Sequence, residues 1–65
     1  MKIFLNGQAI ITEKTSLKEL LTQQNYLQDW LAIAVNEKIV SASERQDFLL
    51  KEQDRIEVLA PMQGG

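Results

Sequence analysis

The 65-residue sequence predicts an α+β fold, a mixed sheet of four to five strands with one main helix packed on one face and a flexible C-terminal Gly-Gly tail. Three observations carry this. Asn6-Gly7 separates two short apolar runs, a single amphipathic segment opens at Ser16, and further apolar or alternating runs follow at 31–36, 39–40 and 55–60. A chain of this length can build one small core, so residues 1–65 read as a single domain with 61–65 as its tail.

The elements follow in order. Ile3-Phe4-Leu5 and Ala9-Ile10-Ile11 flank Asn6-Gly7, a pair that readily takes the positive φ angles of a type I′ turn. Lys2 to Asn6 and Gln8 to Thr12 therefore read as paired strands. Ser16 with Glu19 three residues on fits a capping box, so a helix should begin at Leu17. Leu17, Leu20 and Leu21 share one side at i, i+3 and i+4, which leaves Lys18, Glu19, Thr22 and Gln23 for solvent. Asn25, which tolerates the left-handed conformation, is the expected stop.

Leu31 to Asn36 is apolar at almost every position, with the larger residues at 31, 33 and 35. It reads as a central strand, covered on one side and lightly shielded on the other. Trp30, just before it, reads as an edge of the core rather than a binding anchor. Asn36-Glu37-Lys38 turns the chain into the very short Ile39-Val40. From 41 to 53 the pattern is weak, and Phe48, Leu49 and Leu50 read as core plugs in an irregular or single-turn segment. Arg55 to Ala60, entered through Asp54, alternates polar with apolar and is the last strand.

Composition removes most chemistries. The chain has no Cys and no His, which excludes disulfides, thiolate zinc sites, Cys nucleophiles and imidazole catalysis. Seven Lys plus Arg against nine Asp plus Glu give a net charge of -2, so no nucleic-acid partner is expected. No run approaches a membrane span and the N-terminal apolar stretch is too short for a signal peptide; the cytoplasm is the expected compartment. The nine carboxylates are scattered, which favours a solvated surface over an acid–base pair or a metal cluster.

Gly64-Gly65 is the one feature that looks chemical. For an arbitrary chain a frayed end would be the ordinary reading. Here Gly65 is expected to offer a free α-carboxylate, and two residues without side chains can thread a narrow tunnel. Pro61 stiffens the exit from the last strand while four mobile residues follow. A carboxylate is a poor acyl donor, but adenylation with ATP supplies a leaving group, and a sulfur nucleophile can then displace AMP to leave a thiocarboxylate. This chain lacks the groups to perform that chemistry and can only be its substrate, a carrier rather than an enzyme.

The whole chain resembles the ThiS family, sulfur carriers of thiamine biosynthesis within the ubiquitin-like β-grasp group that includes MoaD, the small subunit of molybdopterin synthase. The resemblance rests on Ile3 to Gly7, the Ser16-Leu17-x-x-Leu20-Leu21 helix, Ala34-Val35-Asn36 followed by Ile39-Val40, Asp54-x-Ile56-Glu57, and Pro61-Met62-Gln63-Gly64-Gly65. Departures are Ser41 where Pro is frequent, Arg45 near a frequent Trp, and Gln53 at a frequent Gly.

The resemblance implies a route. A ThiF-like adenylyltransferase activates the Gly65 carboxylate with ATP, sulfur arrives from cysteine through a desulfurase, and the thiocarboxylate serves a ThiG-like thiazole synthase. Met62, Gln63 and Gly64 would thread into the partner's active site. The chain itself would bind no cofactor or metal and would be a monomer when free. Relatives dock through an apolar patch on the exposed sheet face near the tail. If Ile3 and Leu5 face the helix, alternation turns Phe4 away from it and sets Leu59 opposite Val58 and Ala60. Phe4, Leu59 and Met62 are then the expected docking patch, and a slip of one position would invert the face. The alternatives are a MoaD-like subunit, another Gly-Gly carrier or modifier, or a non-catalytic β-grasp interaction module whose tail is incidental.

Overall fold

Asn6 and Gly7 have φ values of 51° and 82°, the positive pair that a type I′ turn requires. In this computed structural model, which describes residues 1–26 and 28–60, that turn joins β1 (Lys2–Leu5) to β2 (Gln8–Ile11). The chain continues through α1 (Leu17–Gln23), β3 (Ala32–Val35), β4 (Lys38–Val40), a 3-10 turn at Ala42–Glu44, and β5 (Arg55–Leu59). The five strands lie in the order β2-β1-β5-β3-β4. Only β1 and β5 are parallel; the other pairs are antiparallel, so the sheet is mixed, as expected.

The helix begins where its cap places it. Ser16 Oγ accepts a 3.1 Å hydrogen bond from Glu19 N, and Glu19 Oε1 accepts one of 3.4 Å from Ser16 N. Two N–H groups that would otherwise lack partners at the helix start are thereby satisfied. Asn25, with φ of 67°, ends the helix in the left-handed conformation. Leu17, Leu20 and Leu21 are buried with Ile3 and Leu5 of β1, Ile33 and Val35 of β3, and Ile56 of β5. Each such side chain contributes roughly 1.5–3 kcal/mol relative to leaving it exposed. The core therefore lies between α1 and one face of the sheet, and the other face is open.

Three expectations need correction. The middle of the sheet is β5, not the segment at 31–36; β3 is an interior strand between β5 and β4. Sequence apolarity tracks side-chain burial rather than ladder position. The β5 residues Arg55 and Glu57 are exposed on the open face, whereas Ala34 of β3 is buried there.

Leu49 is 67% exposed and is not a core plug. Residues 48–50 run extended beside the helix start, where Leu17 N donates to Phe48 O at 2.9 Å and Leu50 N donates to Thr15 O at 2.8 Å. Extended backbone alternates its side chains, so Phe48 and Leu50 turn inward and Leu49 turns out.

Trp30 is 60% exposed rather than at the core edge. A turn in which Leu31 N bonds Gln28 O at 3.2 Å delivers Leu31 into the core instead. Beside it Arg45, only 7% exposed, donates from Nη2 to Leu31 O at 2.7 Å and from Nε to Val40 O at 3.4 Å.

Candidate functional site

Strand alternation assigns the two faces. Ile3, Leu5 and Ile56 are buried toward the helix with Val58 packed against them, so Phe4, Arg55, Glu57 and Leu59 project from the open face. Phe4 is half-buried, and the ammonium of Lys2 lies 5.4 Å from its ring centroid. That distance suits a cation–π contact and helps cover the ring. Leu59 is 51% exposed.

The register separates these two residues. Phe4 aligns with Arg55 across the parallel β1–β5 pair, whereas Leu59 aligns with Ala32 across β5–β3. The two levels are four residue steps apart along β5, on the order of 13 Å. Glu57 occupies the intervening outward position on β5. Phe4 belongs instead to a shallow depression of about 300 Å³ that it shares with Gly7, Glu37, Arg55, Ile56 and Glu57.

Leu59 has its own apolar surroundings. Ala32 is its register partner, Ala34 lies two residues further along β3, and Ile39 of β4, largely exposed, aligns with Ala34. Trp30 lies two residues before Ala32, at the end of the sheet where β5 finishes. Sequence reasoning did not select Ile39 or Trp30. For Ile39 a signal was available, because Asn36 and Glu37, with φ of 52° and 72°, form a second tight turn whose register sets Ile39 opposite Ala34. Periodicity offers no such signal for Trp30, which stands in a turn.

Met62, Gln63, Gly64 and Gly65 lie outside the described residues. Among the described residues no group of three or more Asp or Glu side chains is placed to hold a metal ion, and no helix is long and apolar enough to cross a membrane. What the open face offers is contact surface: apolar at the β5 exit, charged around Phe4.

The family model described as "ThiS family" matches residues 3–65. The chain belongs to the ThiS family. It is 35% identical over 63 residues to the sulfur carrier protein ThiS of Thermus thermophilus, a match covering 97% of this chain and 98% of that one. Its fold superposes on the crystal structure of the thiamine biosynthesis protein ThiS from Geobacter metallireducens with a TM-score of 0.85 at 22% identity, over the whole of both chains. A looser similarity, with a TM-score of 0.58 at 27% identity, links it to the complex of subunits 1 and 2 of the molybdopterin-converting factor from Helicobacter pylori, over 98% of this chain and 96% of that one. The chain thus has the ubiquitin-like β-grasp fold, with five strands and one α-helix among the described residues.

Proposed function

We propose that this ThiS-family chain is a sulfur carrier in the thiazole branch of thiamine biosynthesis, and that Gly65 is the carrying residue. The observation that carries the reading is a family match that runs from residue 3 through Gly64-Gly65. The Gly65 carboxylate attacks the α-phosphorus of ATP in the active site of a ThiF-like adenylyltransferase, and pyrophosphate leaves. A persulfide formed by a cysteine desulfurase then displaces AMP to give an acyl disulfide. A thiol cleaves that disulfide and leaves as the mixed disulfide, and the thiocarboxylate so released donates its sulfur to a ThiG-like thiazole synthase.

Division of labour follows from side-chain chemistry. With no Cys, His or nucleotide loop, the chain acts as cosubstrate and its partners provide catalysis, in the cytoplasm where those substrates occur. Met62, Gln63 and Gly64 pass through the partner's entrance, where the missing Cβ of Gly64 removes the chief steric obstacle. Of the expected docking patch of Phe4, Leu59 and Met62, Leu59 stands next to the point where the chain leaves β5 and carries more of the contact than Phe4, which lies further down the sheet. A ThiS role is favoured over a MoaD-like one by the family match over residues 3–65 and by the 35% identity to a sulfur carrier protein ThiS.

The test is intact-mass analysis after incubation with ATP, cysteine, a desulfurase and a ThiF-like enzyme, with a variant lacking Gly65 as control. Oxidation of Met1 or Met62 adds nearly the same mass as exchanging oxygen for sulfur, so the product is alkylated and localised to the C-terminal fragment. Alkylatable sulfur at Gly65, in a chain without Cys, is the expected result. An unmodified Gly65, with enzymes active on a known carrier, would leave a plain interaction module as the better reading.

A further inference from the structure

Trp30 is the chain's single tryptophan and stands 60% exposed in a turn. Burying a tryptophan in a partner is worth more than burying almost any other side chain, and interface anchors are enriched in this residue. Its position gives the exposure meaning. Ala32 pairs with Leu59, so Trp30, two residues earlier, and Ala60, one residue later, stand at the same end of the sheet. Leu59 and Ala32, a register pair on the open face, stand at that same end.

On the sulfur-carrier reading, with Gly65 as the reacting residue, the reach of residues 61–65 says what covers this end. Five residues, 61–65, separate Ala60 from the Gly65 carboxylate. Fully extended they reach at most about 18 Å. With Gly65 as the reacting group, an enzyme whose ATP site lies inside a narrow entrance must use most of that reach for the entrance itself. Its outer surface is thereby held against the rim of the carrier from which the tail departs, and Trp30 and Leu59 are on that rim. Ile11, by contrast, is 77% exposed but pairs with Lys2 at the far end of the sheet, out of reach of the same enzyme surface.

We propose that Trp30 is a docking anchor for the adenylating enzyme that acts on Gly65, inserting into an apolar recess beside that enzyme's tail entrance. This rests on the sulfur-carrier reading. Asp29 adjoins Trp30 in sequence and Glu57 is the outward residue before Leu59, so the recess is bordered by cationic side chains. Trp30 touches neither ATP nor the carboxylate; its contribution is to affinity, not to the chemical step.

The experiment measures pyrophosphate release by the adenylating enzyme against carrier concentration, for wild type, Trp30→Ala, Trp30→Phe and Ile11→Ala, each checked for folding by thermal melt. Trp30→Ala is expected to raise KM at least about tenfold while leaving kcat within about twofold, because an interaction equal in ground and transition states affects binding alone. Trp30→Phe should recover most of the loss, and Ile11→Ala should behave as wild type. A folded Trp30→Ala with unchanged KM, or with kcat lowered instead of KM raised, overturns the anchor while wild-type turnover keeps the carrier reading intact. Wild type that is not adenylated at all overturns both. Sedimentation of the free chain is run alongside; self-association that Trp30→Ala abolishes would make a second copy the occupant and overturn the proposal.

Discussion

Asn36 and Asp54 are joined by a 3.0 Å hydrogen bond from Asn36 Nδ2 to Asp54 Oδ1, which ties the turn between β3 and β4 to the entry of β5. The same Asn36 amide accepts from Arg55 N at 3.0 Å through Oδ1, and Asp54 Oδ2 accepts from Lys51 N at 2.8 Å. Asn36 thus satisfies a side-chain acceptor and a backbone donor while holding φ at 52°. Asn36→Ala removes both bonds and forces a Cβ-bearing residue without a local amide into the left-handed region. A loss of about 2–4 kcal/mol is expected. Asn36→Gly keeps the backbone free and should cost about 1–2 kcal/mol. Urea unfolding of both variants checks the order; equal midpoints would show that backbone conformation contributes nothing here.

The two tight turns differ at one position. Gly7 fills the second turn site after Asn6, whereas Glu37, at φ of 72°, fills it after Asn36. Glu37→Gly should therefore stabilise the chain by about 0.5–1 kcal/mol, raising Tm by a few degrees. Gly7→Ala is its converse. A Cβ there meets nothing within 4 Å, so the expected loss of about 1 kcal/mol is backbone strain without a clash. Thermal melts that move in the same direction for both substitutions would contradict this account.

Arg45 closes the fold through backbone carbonyls. Its guanidinium bonds Leu31 O and Val40 O from a position only 7% exposed, joining the approach to β3 with the end of β4. Arg45→Ala should cost about 2–3 kcal/mol, from lost packing of the stem and from carbonyls left without a donor. Arg45→Met keeps much of the stem but none of the donors. It should still lose at least about 1 kcal/mol in equilibrium unfolding, and a methionine variant as stable as wild type would reduce Arg45 to a packing role.

What could be read from the sequence divides along the range of the interactions. The Asn6-Gly7 turn and the Ser16–Glu19 box involve residues no more than three apart, and both stand as expected. The place of β5 in the sheet depends on pairing with β1, some fifty residues away, as in Phe4 opposite Arg55, and no local pattern encodes that partner. Leu49 failed for a related reason: its bridge to Ser16 sets which way an otherwise patternless segment faces. For the candidate site, alternation was enough to turn Phe4 and Leu59 to the same face. Their separation along it follows from the β1–β5 register and was illegible. Leu31, not Trp30, enters the core, with Arg45 bonded to its carbonyl, and that outcome depends on segments distant in sequence.

That separation yields a prediction that divides the docking patch. Leu59 and Ala32 form an outward pair at the end of β5, and Leu59 is already half in solvent, so Leu59→Asp should change stability by no more than about 0.5 kcal/mol. The same substitution sets a carboxylate where an enzyme working on Gly65 must close over the β5 exit. KM for the carrier in the adenylation assay should therefore rise at least about tenfold. Phe4 is half-buried under the Lys2 ammonium and about four residues of strand away. Phe4→Ala should cost about 1–2 kcal/mol of stability yet raise KM less than Leu59→Ala does. Measuring KM and the melting temperature of these variants together separates the two roles. If Phe4→Ala raises KM as far as Leu59→Ala, the enzyme covers the whole open face, and the short reach of residues 61–65 does not confine it to the rim.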